Sequence, residues 1–127
     1  MGTRFIATRE SLAIERYKKS LLEKSADATT LTDAFSGRYA RLLRNEFSRR
    51  YAKSGAPVLP FLWQVSAAKD IYDRAAAEGN PDYFPMYAGQ SVGLIHNLPG
   101  AAEVIEAVVR EARQLLLERL PQSVRLA

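Results

Sequence analysis

The stretch MGTRFIATRES, residues 1–11, carries the strongest fold signal in this chain. Its apolar pair, Phe5 and Ile6, gives the first eight residues weak strand character. Gly2 permits a backbone turn before that pair. Thr8 has the side chain of a helix N-cap. The stretch therefore predicts a short strand that leads directly into a helix.

Amphipathic helices account for most of the remaining chain. Apolar residues recur every three or four positions in residues 9–24, 38–53 and 61–78, and again after Pro99, which predicts four helices. Thr29–Phe35, TTLTDAF, is rich in β-branched residues and predicts a short strand. The expected fold class is mainly α with one or two short strands. A lone strand needs a ladder partner, so either two copies pair into an intermolecular sheet or the chain is a piece of something larger.

Two groups of apolar side chains are expected in the core. Phe61 and Trp63 are more often core residues than a ligand platform. The last helix is predicted to bury one apolar face and to end at Pro121. That face consists of Val104, Ile105, Val108, Val109, Ala112, Leu115, Leu116 and Leu120.

Length and composition exclude several classes of protein. The 127 residues are too few to close a (β/α)8 barrel, which needs roughly 200. No apolar run approaches the ~18 residues of a membrane span, and the N-terminus lacks the apolar core of a secretory signal. No Cys and one His leave no thiolate site and no zinc site with two imidazoles. We therefore expect a cytoplasmic protein without a metal site and without a membrane partner.

The net charge of +4 is concentrated between residues 38 and 53, where six basic residues face one acid. Such a stripe can contact phosphate groups. Apolar residues recur on the other side of the same predicted helix, however, which is typical of an ordinary solvated face. No nucleic-acid-binding motif accompanies the arginines, so no nucleic-acid partner is expected.

Four ordered stretches resemble the nitronate monooxygenase family, flavoproteins formerly called 2-nitropropane dioxygenases. Besides residues 1–11 they are TDAFSGRYARLLRN (residues 32–45), YDRAAAEGNPDYFPMYAGQSVGL (residues 72–94) and the closing apolar helix from Pro99. This resemblance implies an FMN-binding TIM barrel with a smaller helical second domain, which oxidises alkyl nitronates with O2. Enoyl-ACP reductase II has the same architecture and also resembles the GTRF and AGQ motifs, so it is one alternative. The other is a non-enzymatic helical oligomerisation module.

The resemblance covers only the C-terminal part of the family. It implies the last barrel strand and helix in residues 1–24, a small, mostly helical second domain with one short strand in residues 25–98, and a helix that packs back on the barrel in residues 99–127. The catalytic histidine of the family has no match, because His96 lies past the AGQ motif. We therefore expect no catalytic residue in this chain and no turnover by it alone. Self-association or the missing barrel portion would cover its exposed apolar surface.

The resemblance also implies where a flavin would be held. Met1, Gly2 and Thr3 match the family stretch that holds the flavin phosphate, and Gly2 lets an anion approach the backbone. Gln90 and Ser91 match a loop near the barrel mouth and offer an amide and a hydroxyl. The alternatives are that Gly2 and Thr3 only form an N-terminal turn, and that Gln90 only caps a helix end.

Three arginines match family positions or neighbour them. Arg4 either adds positive charge to the phosphate stretch or pairs with a helix acid. Arg38 and Arg41 of the SGRYAR motif are interpreted as interdomain or salt-bridge residues rather than catalytic ones.

Overall fold

The first segment of the chain is a helix rather than a strand. In the computed structural model, which describes residues 1–120, helix α1 spans Gly2–Ile6. The two strands of that part of the chain lie further along and pair with each other, so an extended N-terminus would leave its amides unpaired. The helical turn pairs them locally, since the Ala7 N–H donates to the Thr3 carbonyl at 3.2 Å. The predicted strand at the N-terminus is therefore wrong.

The second helix, α2, spans Glu15–Glu23 and begins six residues later than predicted. Thr8 does not cap it, because its hydroxyl donates back to the Phe5 carbonyl at 2.8 Å. The helix buries Tyr17 and Leu21 against the rest of the molecule, as the spacing predicted.

The two strands form an antiparallel hairpin. Strand β1 spans Thr29–Thr32, which confirms the predicted strand, and β2 spans Ala40–Leu43. The helix predicted over residues 38–53 is thus wrong in its first half. Its apolar spacing also fits a strand, and β1 requires a ladder partner, which β2 provides within the same chain. Gly37, in the connection, has φ 78°, and a Cβ there would lie 2.4 Å from the Leu59 carbonyl oxygen.

Helix α3 spans Glu46–Ser54 and carries the second half of the basic segment. Its N-cap is Asn45, which lies inside the helix predicted over residues 38–53. The Asn45 side-chain oxygen accepts from the Ser48 N–H at 3.0 Å in a capping box. The Asn45 amide also donates to the Pro81 and Phe84 carbonyls, each at 3.0 Å. One buried side chain thereby fixes both the start of α3 and the loop that approaches the site.

The helix predicted over residues 61–78 is present but interrupted. Helix α4 spans Trp63–Ala67 and α5 spans Lys69–Ala77. Phe61 and Trp63 were predicted in the core, which is wrong, because they are 42% and 72% exposed. The Arg38 guanidinium lies over the Phe61 ring, 4.4 Å from the ring centroid. This cation–π contact stabilises Phe61 in its exposed position outside the core.

The described residues close with a long helix that follows a short 3-10 turn. The 3-10 turn spans Gln90–Leu94, and α6 spans Ala101–Gln114 with a π-helical continuation at Leu115–Arg119. Of the predicted apolar face only Val104 is buried, so the face exists but has no covering element within residues 1–120. The predicted end at Pro121 lies outside the described residues. No helix within them is long and apolar enough to cross a bilayer.

The core consists of two clusters on opposite sides of the hairpin. Neighbouring residues of β2 point in opposite directions, so Leu43 belongs to one cluster and Leu42 to the other. The Leu42 cluster joins α3 and α5 through Phe35, Phe47 and Tyr72. The Leu43 cluster joins α1, α2 and the segment around the AGQ motif; its buried members are Ala7, Tyr17, Leu21, Leu43, Met86, Ala88, Val92 and Ile95.

Candidate functional site

Two motifs that lie 86 residues apart in the sequence meet at Thr3 and Gly89. The Gly89 N–H donates to the Thr3 hydroxyl oxygen at 3.0 Å. The hydroxyl oxygens of Thr3 and Ser91 both lie within 4 Å of the point that a Cβ on Gly89 would occupy. Two of the sequence-predicted residues, Thr3 and Ser91, are therefore neighbours in the folded chain.

The start of α1 presents unpaired donors beside this contact. The N–H groups of Gly2 and Thr3 stand in the first helical turn and have no acceptor among the described residues. Met1 and Gly2 are exposed, and a Cβ on Gly2 would meet no atom within 4 Å. The Thr3 hydroxyl accepts from Gly89 and keeps its own proton to donate. An anion could reach all three donors from the solvent.

Strand β2 holds the segment that leads to the AGQ motif. The Leu43 N–H donates to the Met86 carbonyl at 2.8 Å, and the Ala88 N–H donates to the Arg41 carbonyl at 3.1 Å. The segment thus runs along β2 as an additional short stretch of pairing, and its side chains Met86 and Ala88 are buried. This fixes the backbone immediately before Gly89.

Tyr17 makes a third hydrogen bond to the same segment, in addition to the two from β2. Its hydroxyl donates to the Tyr87 carbonyl from the buried face of α2. Burial raises the pKa of the Tyr17 phenol well above its ordinary value, so the hydroxyl stays protonated and remains a donor. The sequence predicted Tyr17 only as an apolar helix position, because spacing says nothing about where its hydroxyl points.

The 3-10 turn sets the direction of the two remaining predicted residues. Val92 is fully buried, whereas Gln90 and Ser91 are exposed beside Gly89. Gly93 is needed for packing, since a Cβ there would lie 3.2 Å from the Ala26 backbone nitrogen. Gln90 is the first residue of the 3-10 turn and not its N-cap, which is Gly89, and its side chain is exposed to solvent.

Arg4 turns away from the predicted pairing with an acid. Its guanidinium donates to the Asn97 side-chain oxygen at 3.1 Å, to the Asn97 carbonyl at 2.6 Å and to the Ala7 carbonyl. None of the ion pairs within residues 1–120 includes Arg4. Burial lowers the pKa of Arg4, and its Nε is enclosed without a partner. The expectation of a helix-acid partner is wrong.

The guanidinium groups of the SGRYAR motif contact residues outside this surface. Arg38 stacks on Phe61, and Arg41 donates to the Thr29 hydroxyl at 3.1 Å. Neither forms an ion pair within the described part of the chain, so the salt-bridge alternative is not seen there, and the interdomain alternative stays a prediction. His96 is exposed in the loop before α6, in agreement with the sequence-based interpretation as a loop residue.

Comparison with known proteins places the chain among one group of enzymes. The profile described as "Nitronate monooxygenase" matches residues 1–111. The nitronate monooxygenase of Pseudomonas aeruginosa is 39% identical over 114 residues, which cover 89% of this chain and 32% of that protein. That of Paraburkholderia phytofirmans is 36% identical and covers 96% and 33%. The chain thus spans about a third of the length of these relatives.

Solved structures give the same picture. FabK from Thermotoga maritima superposes with a TM-score of 0.75 at 29% identity, covering 98% of this chain and 39% of FabK. A nitroalkane oxidase from Streptomyces ansochromogenes superposes with a TM-score of 0.75 at 33% identity, covering 91% and 33%. The fold of residues 1–120 is therefore a recognised portion of larger proteins.

Proposed function

The chain belongs to the nitronate monooxygenase family, and on that premise we propose that it forms the phosphate end of an FMN site in an enzyme that oxidises alkyl nitronates with O2. The observation that carries the proposal is the hydrogen bond between the Gly89 N–H and the Thr3 hydroxyl. It joins the two stretches that family resemblance assigns to the flavin, although neither was required to meet the other by sequence spacing.

The residues at this surface suit a phosphate. In TIM barrels a phosphate commonly sits at the N-terminus of a short helix near the last strands, and α1 begins at Gly2. The backbone N–H groups of Gly2 and Thr3, beside Met1, would hold the phosphate oxygens, and the Thr3 hydroxyl adds a donor. Gln90 and Ser91 would donate to other parts of the same molecule. When bound, FMN supplies the electron transfer from the nitronate to O2.

We further propose that this chain does not turn over nitronates alone. The catalytic histidine of the family has no match in this chain, since His96 lies past the AGQ motif and is exposed in the loop before α6. The relatives are about three times as long as the matched stretch, so the remaining two thirds carry the rest of their site. The contacts supplied by this chain alone give little net affinity for FMN, because binding also costs the entropy of ordering the ligand and the side chains. Tight FMN binding therefore also needs the two thirds of the protein that this chain does not match.

The exposed apolar face of α6 supports the proposal that the rest of the enzyme is needed. Ile105, Val109 and Leu116 are each more than half exposed on a helix that contacts the body mainly through its first turns. We propose that residues 99–127 pack on a barrel portion supplied by the rest of such a protein, with residues 25–98 as its small second domain. If self-association covers this face instead, light scattering of the chain alone will give a dimer or larger species.

The alternative is an enoyl-ACP reductase of the FabK kind. The structural overlap with Thermotoga maritima FabK favours it, because that overlap covers 98% of the chain. The family match and the higher identity to nitronate monooxygenases favour the first proposal. Assaying both nitronate oxidation and enoyl-thioester reduction on one sample separates them.

A graft tests the proposed function. This chain replaces the matched third of the Pseudomonas aeruginosa nitronate monooxygenase, and purified protein is analysed for flavin content and nitronate oxidation. We expect a yellow, active protein, reduced flavin content in a Thr3→Val graft, and no turnover by the 127-residue chain. A graft that unfolds like the parent yet holds no flavin would refute the proposal, as would robust turnover by the chain alone.

A further inference from the structure

We infer that Thr3 and Arg4 are positioning residues that hold the two ends of the Gly89–Asn97 segment and so set the direction of Gln90 and Ser91. This inference rests on the proposed function only for what Gln90 and Ser91 contact. The geometry of the hold itself is independent of any ligand.

The two contacts come from adjacent residues of one short helix. Thr3 accepts from the Gly89 N–H at 3.0 Å, at the start of the segment. Arg4 donates to both oxygens of Asn97, at 3.1 and 2.6 Å, at its end. Consecutive helical residues point about 100° apart, so a single turn of α1 can reach two separate points.

The segment between those points would be weakly fixed without them. Besides the bonds within the 3-10 turn, the Val92 N–H donates to the Gly89 carbonyl at 3.0 Å and the Ile95 N–H donates to the Val92 carbonyl at 2.9 Å. A five-residue 3-10 turn is marginal by itself, because its hydrogen-bond geometry is poor. Val92 and Ile95 are buried and anchor the middle, and β2 holds the backbone up to Ala88, so the contacts with α1 act on Gly89 and Asn97 themselves.

The acceptors around Arg4 indicate a positional role. A guanidinium has five donors, and Arg4 uses three of them on the neutral oxygens of Asn97 and Ala7. Its Nε is enclosed without any partner, which is unfavourable for a group that serves only as a surface charge. The rigid planar fork of arginine reaches the side-chain and main-chain oxygens of one residue from two nitrogens, whereas lysine has a single nitrogen on a flexible stem and loses more side-chain freedom for the same hydrogen bonds.

Hydrogen–deuterium exchange on the full 127-residue chain tests the inference with four variants. Thr3→Val keeps the shape but removes the acceptor, and Thr3→Ser restores it. Arg4→Met removes the fork, and Arg4→Lys keeps the charge alone. Arg9→Met is the matched control, because Arg9 is a nearby exposed arginine whose side chain pairs with Glu103 on α6.

We expect exchange of the Gly89, Val92 and Ile95 amides to rise roughly fivefold to tenfold in Thr3→Val and Arg4→Met, as for the loss of one or two hydrogen bonds. Exchange in the β1–β2 hairpin stays unchanged, Thr3→Ser behaves as the wild type, and Arg4→Lys resembles Arg4→Met. Unchanged exchange in the segment, an equal rise in the hairpin, or full rescue by Arg4→Lys overturns the inference.

An FMN titration of the grafted enzyme separates this inference from the proposed function. If the graft binds no flavin but the exchange pattern is as expected, the proposed function fails and the positioning role stands. If the graft binds flavin but exchange in the Gly89–Asn97 segment is insensitive to both residues, the positioning role fails and the proposed function stands.

Discussion

Replacing Gly37 by Ala tests how the hairpin connection is built. Gly37 has φ 78°, a conformation that costs an L-residue roughly 1–2 kcal/mol. The new Cβ would also lie 2.4 Å from the Leu59 carbonyl oxygen and 2.9 Å from both the Phe61 nitrogen and the Pro60 carbonyl carbon. These are backbone atoms, so the loop itself must move, which adds about 2 kcal/mol by comparison with overpacked cores. We expect a loss of about 3–4 kcal/mol in the free energy of unfolding.

Urea unfolding followed by circular dichroism measures this loss. For a chain of this size, a slope of about 1.5 kcal/mol per molar urea converts it to a midpoint roughly 2 M lower. Gly55→Ala is the matched control, because Gly55 has φ 67° with no atom within 4 Å of its Cβ position. It carries the conformational cost alone, roughly 1–2 kcal/mol. Equal losses in the two variants would refute the steric argument.

Three further perturbations follow from contacts described above. Asn45→Ala removes a helix cap and the hydrogen bonds to two carbonyls, so the free energy of unfolding measured in urea should fall by about 2–3 kcal/mol. Asn45→Asp keeps only the cap, so its free energy of unfolding should lie between those of the wild type and Asn45→Ala. Burial raises the pKa of Tyr17 and Tyr72 above the ordinary value of about 10, so the folded chain keeps protons that the unfolded chain releases. The free energy of unfolding should therefore fall as pH rises above about 10, and it should fall less steeply in Tyr17→Phe. A urea midpoint that does not change between pH 9 and 11 would contradict this. Val109→Glu places a charge on the exposed face of α6, so the free energy of unfolding of the lone chain should stay within ~0.5 kcal/mol while the flavin content of the graft falls. A large loss of stability in the lone chain would show that the face is already covered.

The hairpin illustrates why periodicity located some elements and not others. Thr29–Thr32 is rich in β-branched residues, so its strand was predictable from local preference. The sequence of β2, Ala40–Leu43, contains residues that favour helices, and only its pairing with β1 makes it extended. Local preference was overridden there because an unpaired strand would leave its backbone groups unsatisfied.

The candidate site divides in the same way. Resemblance pointed to Met1, Gly2, Thr3, Gln90 and Ser91 as two separate stretches. Their meeting at Gly89 depends on the Leu43 cluster, which packs α1 and α2 against the segment along β2. No spacing rule connects positions so far apart in sequence.

By itself the sequence determined the mainly helical class, the first strand, the buried face of α2 and the family, because propensity, periodicity and motif are local properties of the chain. Tertiary structure alone decided that residues 2–6 are helical, that residues 40–43 are extended, and that Thr3 and Arg4 hold the Gly89–Asn97 segment. Residues 40–43 and the Arg4 guanidinium find their hydrogen-bond partners in segments distant in sequence. Residues 2–6 have no neighbouring strand within the described residues, so their backbone groups pair within a helix.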